Sequence, residues 1–138
     1  AYYNVPRLII GVMTDMELSS FGTALVIAFL FLFFGLFIDA IPTIIILGTV
    51  LLPVATQADI SPIVFAMIGI ISLAFGLVTP PYGLCLLISA SIGGMNVTSV
   101  LKQVAIILLP MLFILLLVII FPEISLWLPK TLMPNSFK

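Results

Sequence analysis

The sequence predicts an all-α integral membrane protein, built from a re-entrant helical hairpin together with broken and continuous transmembrane helices. Three observations carry that class. Of 138 residues 64% are hydrophobic and 7% are charged, with no histidine and a mean hydropathy of +1.49, and charge this sparse cannot cover a soluble domain. The apolar residues are gathered into runs close to the length of a bilayer crossing. Two of the runs are interrupted, at "DAIPT" (Asp39 to Thr43) and at "TPPYG" (Thr79 to Gly83). Irregular backbone at membrane depth persists only where it is buried in protein or lines a water-filled cavity, so both interruptions need a protein housing.

Residues 1–20 read as a boundary or interfacial segment. The opening "AYYNVPRLIIGVMTDMELSSF" has no initiator Met, no basic n-region and no signal cleavage pattern, and is expected to be an internal boundary of a larger membrane protein. Residues 21–55 come next. Phe21 to Ile38 would make roughly 27 Å of helix, near the hydrocarbon thickness. The piece after "DAIPT", from Ile44 to Ala55, has only 12 residues and holds Pro53, which is too short to span alone. Two arrangements fit: a re-entrant hairpin with its tip at Asp39 to Thr43, or a spanning helix followed by a short interfacial one.

The polar "TQADIS" (Thr56 to Ser61) reads as a surface loop, and Pro62 suits the first turn of a helix, where a missing N–H costs nothing. Residues 62–94 form a discontinuous transmembrane helix, broken at 79–83 and ending at the pair Gly93 and Gly94, a C-terminal cap signal. "MNVTSVLKQ" (Met95 to Gln103) is read as a polar linker before the last span, 104–121, with one tolerated proline, Pro110. The tail 122–138 places Trp127 and Lys130 where an interfacial aromatic and a snorkelling cation are expected.

The breaks hold the candidate functional residues. A proline lacks the N–H donor and pushes the residue before it out of the α region. Pro80 and Pro81 therefore free carbonyls in the preceding turn, Phe75 to Val78, and extend Thr79. A bound cation, a neighbouring helix or a trapped water could satisfy those oxygens; a plain proline kink is the alternative reading. Gly76 and Gly83 flank the break, and the Thr79 hydroxyl stands at its edge. Asp39 is the one ionisable group between two apolar runs, and a carboxylate at mid-membrane costs at least about 2.5–3.5 kcal/mol. Either it serves an ion or substrate site, or it caps the second arm.

Other chemistry finds no support. Without histidine, with one cysteine and with no carboxylate pair in the apolar part, the chain offers no nucleophile and base and no metal cluster, and is not expected to be an enzyme. "TPPYG" differs from a potassium-filter sequence in carrying Pro81 where that loop needs glycine. A net charge of −1 points to no nucleic-acid partner. Cys85, Tyr82 and the Phe-rich run Phe29 to Phe37 read as packing or lipid contact and not as cofactor ligands.

The order "GLFIDAIPTIIILGTVLLP", then "DISPIVFAMIGIISLAFGLVTPPYGLCLLI", then "FPEISLWLP" resembles the C-terminal third of the large membrane subunit of TRAP transporters, the tripartite ATP-independent periplasmic carriers. The combination of G-L-x-T-P-P-x-G with F-x-D-x-x-P carries the resemblance, which covers nearly the whole chain. Many members have a small aliphatic residue where Tyr82 stands, a departure that bears on substrate identity.

The resemblance implies part of an inverted-repeat ion-transporter-type fold in the bacterial inner membrane, and a sodium-coupled symporter with elevator-type alternating access. It implies as partners the N-terminal remainder of the subunit, a small four-helix membrane subunit and an extracytoplasmic solute-binding protein that delivers an organic anion such as a dicarboxylate or sugar acid. No cofactor is implied beyond Na⁺ as coupling ion. The implied sodium and substrate positions are Asp39, Pro42 and Thr43 at the hairpin tip, and Gly76, Thr79, Pro80, Pro81, Tyr82 and Gly83 at the unwound segment. Carbonyls near Gly76, Val78 and Thr79 would hold Na⁺, in agreement with the way secondary transporters use broken helices near the midplane. A non-transporting structural subunit is the rival class; it leaves both breaks and Asp39 unexplained. A channel would need a continuous polar lining that the runs around the breaks do not offer.

Overall fold

The computed structural model describes residues 7–8, 11–12, 15, 19–79 and 83–134. From Ser20 onward, six helices follow one another among the described residues: α1 (Ser20–Phe37), α2 (Ala40–Gln57), α3 (Pro62–Val78), α4 (Leu84–Ile92), α5 (Val97–Ile120) and α6 (Glu123–Leu132). No strand occurs among the described residues. Three helices, α1, α2 and α5, are long and apolar enough to cross a membrane, and α3 is a shorter apolar helix. The chain is an all-α integral membrane protein.

α1 starts at Ser19, whose side chain accepts a hydrogen bond from Gly22 N, and ends where Ile38 turns extended (φ −122°, ψ 146°). Asp39 is extended too (φ −60°, ψ 151°) and is the N-cap of α2. Two extended residues thus reverse the chain. At the far end, the Ser20 hydroxyl donates to the Ala58 carbonyl at 2.7 Å, so the two arms run antiparallel and close at their base.

The second arm is longer than the sequence reading allows. It has 18 residues, the same as α1, because Pro42 sits in the first turn, where an N–H has no intrahelical acceptor. Nothing after Ala55 stops the helix until Asp59 adopts φ 57° and Ile60 N bonds Ala55 O at 2.9 Å. That is a left-handed cap, a conformation Asp tolerates better than most residues. The surface loop therefore shrinks to Ala58 to Ser61, with Thr56 and Gln57 inside α2.

α3 begins with Pro62 at its first position, as the sequence predicts. It runs parallel to α1: Phe31 stacks edge-on against Phe65 at 5.7 Å, and farther along both helices Gly35 lies against Leu73 and Gly76. In lipid, helices associate through close packing and not through hydrophobic transfer, which favours small residues at contacts. Gly69 fits under the Phe31 ring in that way, with the space of its missing Cβ 3.2 Å from Phe31 Cζ. The buried α1 residues Ala24, Ile27, Ala28 and Phe31 recur at helical spacing and form the stripe that meets α3. Leu51 and Ala55 of α2, Ile68 of α3 and Leu115, Val118 and Ile119 of α5 complete the core.

The end of α4 carries the expected glycine cap. Gly94 has φ 61°, and Met95 N reaches back to Ala90 O at 3.0 Å, the pattern of a Schellman motif. The last span differs from expectation. α5 begins at Val97 and has 24 residues, because Asn96 is extended and no breaker follows it, so most of the supposed linker, Lys102 included, is helical. α6 carries an exposed Trp127 and an exposed Lys130–Glu123 pair at 3.5 Å, which contributes little to stability.

Candidate functional site: two helix breaks at one cavity

The parallel course of α1 and α3 brings their C-terminal ends side by side. Because α2 leaves from the end of α1 and α4 follows the end of α3, four helix termini gather there. Between them lies one small cavity, lined by Gly35, Ile38, Asp39, Gly76, Leu77, Gly83 and Leu84. The two interruptions, separated by some forty residues of sequence, therefore share a single site. Its volume is about 10 Å³, room for one water or one bare monovalent ion. An organic anion does not fit in it.

Each predicted residue has a definite place. Asp39 is exposed, and its Oδ1 accepts from Ala40 N at 2.9 Å, so the capping reading of this carboxylate is realised in the cavity wall. Pro42 is exposed in the first turn of α2. Thr43 is 2% exposed, and its hydroxyl donates to Asp39 O at 2.8 Å while its N–H bonds the same oxygen at 3.2 Å. The Thr43 side chain is thus committed to holding the tip and is not among the cavity's lining residues.

Gly76 and Gly83 are buried, and Val78 and Thr79 are half-buried. Thr79 has φ −96° and ψ 135°, the extended geometry imposed on a residue before proline. Pro80, Pro81 and Tyr82 lie outside the described residues. The set of freed carbonyls is smaller than Phe75 to Val78. Phe75 O accepts from Thr79 N at 2.8 Å, and Thr79 O accepts from Gly83 N at 3.1 Å. The helical donors for Gly76 O and Leu77 O would be residues 80 and 81, both prolines, which have no N–H in any conformation. Gly76 and Leu77 are the two of these residues that line the cavity.

Among the described residues no group of three His, Cys, Asp or Glu side chains could hold a metal ion. A cation at this place would draw on backbone oxygens. Gly35, Ile38 and Leu84 are lining residues that the sequence reading did not select, and Leu77 entered it only within the freed turn Phe75 to Val78. For Gly35 a signal exists: "GLFID" (Gly35 to Asp39) and "GLVTP" (Gly76 to Pro80) share a Gly-Leu pair at the same distance before each break.

The chain was compared with known proteins. It is 37% identical over 105 residues to the sialic acid TRAP transporter permease protein SiaT of Haemophilus influenzae, covering 76% of this chain and 17% of SiaT. It is 33% identical to the large permease protein SiaM of Vibrio cholerae, over 91% of this chain and 30% of SiaM. It is 30% identical to the C4-dicarboxylate TRAP transporter large permease protein DctM of Pseudomonas aeruginosa, over 93% of this chain and 30% of that protein. The chain thus spans less than a third of the length of these relatives, which are named as transporter permeases and not as enzymes. No solved structure gives a significant match. The family model for the DctM component of tripartite ATP-independent periplasmic transporters matches residues 1–124, and the chain, with its two paired helix breaks, belongs to that family.

Proposed function

We propose that this chain is the C-terminal part of a sodium-coupled TRAP-type importer of the bacterial inner membrane, moving an organic anion such as a dicarboxylate or a sugar acid by an elevator motion. The observation that supports this most is the meeting of the two breaks at one cavity sized for an ion. Secondary transporters coordinate coupling ions with unwound backbone and helix C-terminal ends, and here the carbonyls of Gly76 and Leu77 lack helical donors at that cavity. In this reading those oxygens hold Na⁺, Thr79, half-buried beside the lining residues but not one of them, adds its hydroxyl from the edge of the break, and the Asp39 carboxylate contributes field from the wall. Tyr82 borders the substrate path.

The named relatives act on sialic acid and C4-dicarboxylates, both carboxylate anions, which supports that substrate class. The cavity is too small for such an anion, and no basic residue is among its lining residues, so substrate donors come from the rest of the subunit. The hairpin α1–α2 enters and leaves from one side of the membrane with its tip inside the protein. The complete assembly also contains a small four-helix membrane subunit and an extracytoplasmic binding protein.

The test is uptake by the complete transporter in proteoliposomes, with and without a Na⁺ gradient and binding protein. Uptake that needs both agrees with the proposal. Uptake indifferent to Na⁺ removes the coupling reading, and no uptake with all partners present returns the chain to a structural role.

A further inference from the structure

We propose that the backbone contact between Gly35 and Gly76 is a positioning device that sets the spacing of the cavity walls, and through it the affinity for the coupling ion. The inference rests on the sodium-coupled reading above and assigns a role to Gly35 that its own chemistry does not suggest. A Cβ built on Gly76 would overlap the carbonyl carbon and oxygen of Gly35 and stand 2.9 Å from Gly35 Cα. These are backbone atoms of α1, so no rotamer change relieves the clash. Restoring ordinary contact at about 3.5 Å requires the two helices to part by roughly 1 Å.

The contact is directional. A Cβ on Gly35 would meet Leu73 Cδ2 at 2.9 Å and Gly76 Cα at 3.8 Å, and a leucine methyl can move aside at modest cost. Neither glycine has a positive φ, so space alone decides what each position accepts. Elsewhere the glycines are less constrained: Gly48 has nothing within 4 Å, and Gly69 faces only the Phe31 ring. The Gly35–Gly76 pair is also part of the cavity lining, together with Ile38 and Asp39 from the α1–α2 tip and Leu77, Gly83 and Leu84 from the α3–α4 break. Parting the pair therefore separates the two halves of the lining from each other. A site of about 10 Å³ has no slack to absorb a displacement of that size, and a shift of about 1 Å is enough to cost orders of magnitude where geometry decides.

The test compares Gly76→Ala, Gly35→Ala and Gly48→Ala in the complete transporter. Two quantities are read: half-saturating Na⁺ against half-saturating substrate, and the bridging of cysteines placed at Ile38 and Leu84 by a short bifunctional thiol reagent in a Cys85→Ser background. The expected order is an increase of about tenfold or more in half-saturating Na⁺ for Gly76→Ala, a smaller one for Gly35→Ala and none for Gly48→Ala, with bridging reduced in the same order. A purely structural role would lower the amount of inserted transporter, and hence the maximal rate, at constant half-saturating Na⁺. That result overturns the proposal, as does unaltered bridging in Gly76→Ala. If the parent transporter shows no Na⁺ response, the coupling reading fails by itself, and the bridging yields still decide whether the glycine contact sets the wall spacing.

Discussion

Replacing Pro80 and Pro81 together by Ala should close the break and disable ion coupling without harming insertion. New N–H groups at positions 80 and 81 face Gly76 O and Leu77 O at helical spacing, and alanine removes about 3 kcal/mol of helix-breaking cost per position. Each restored bond adds about 0.5–1.5 kcal/mol. The neighbouring bonds, Phe75 O with Thr79 N and Thr79 O with Gly83 N, already have the helical i to i+4 spacing, so closure chiefly requires Thr79 to leave its extended geometry, which the proline after it imposes. Both carbonyls are then withdrawn from the cavity. If each contributes about 1.4 kcal/mol to ion binding, losing the pair raises half-saturating Na⁺ about a hundredfold. The assay is initial uptake over a Na⁺ titration in proteoliposomes, normalised to inserted protein. An unchanged Na⁺ titration with normal uptake would refute the reasoning and leave the break as a packing kink.

Three further outcomes test neighbouring parts of the site. Asp39→Asn keeps an N-cap of equal quality for α2, so thermal stability should change little while half-saturating Na⁺ rises several-fold; an unaffected Na⁺ response would make Asp39 a cap alone. Thr79→Val removes one hydroxyl and leaves the backbone oxygens, and should raise half-saturating Na⁺ by only about two- to fivefold, clearly less than the double proline variant. Cysteines at Ser20 and Thr56 should label from the same side of the membrane, and one at Ile38 should resist reagent added from the opposite side; rapid labelling from there would turn the hairpin into two full crossings.

The punctuation of this fold is legible in its residues. Pro62 opens α3, Gly93 and Gly94 close α4, and both breaks fall where Asp39 and the double proline stand, because each effect is local and chemically obligatory. Helix lengths were harder to read. A proline in the first turn looks the same in sequence as one that ends a helix, so Pro42 hid the first turn of α2, and the polar run after Asn96 concealed the first two turns of α5. The site itself depends on tertiary placement. That Phe75 O is satisfied follows from Thr79 turning its N–H to it, and the meeting of the breaks follows from α1 and α3 running parallel with Gly35 on Gly76. Only the repeated Gly-Leu pair before each break hinted at that partnership.

The hydrogen bond from Ser20 to Ala58 has a consequence for how the protein can move. A segment whose entrance and exit are tied together contributes an even number of membrane passages, whether its tip stops midway or reaches the far surface. The α1–α2 unit is therefore neutral with respect to orientation: Ser20, where α1 begins, and the helix that starts at Pro62 stay on the same side whatever depth the tip occupies. Under the elevator motion proposed above, such a unit would slide along the membrane normal together with the end of α3 without pulling its connecting loop through lipid. In that proposal, vertical travel of the ion-sized cavity would be opposed by the surfaces it slides along, and not by the connectivity of α1 and α2.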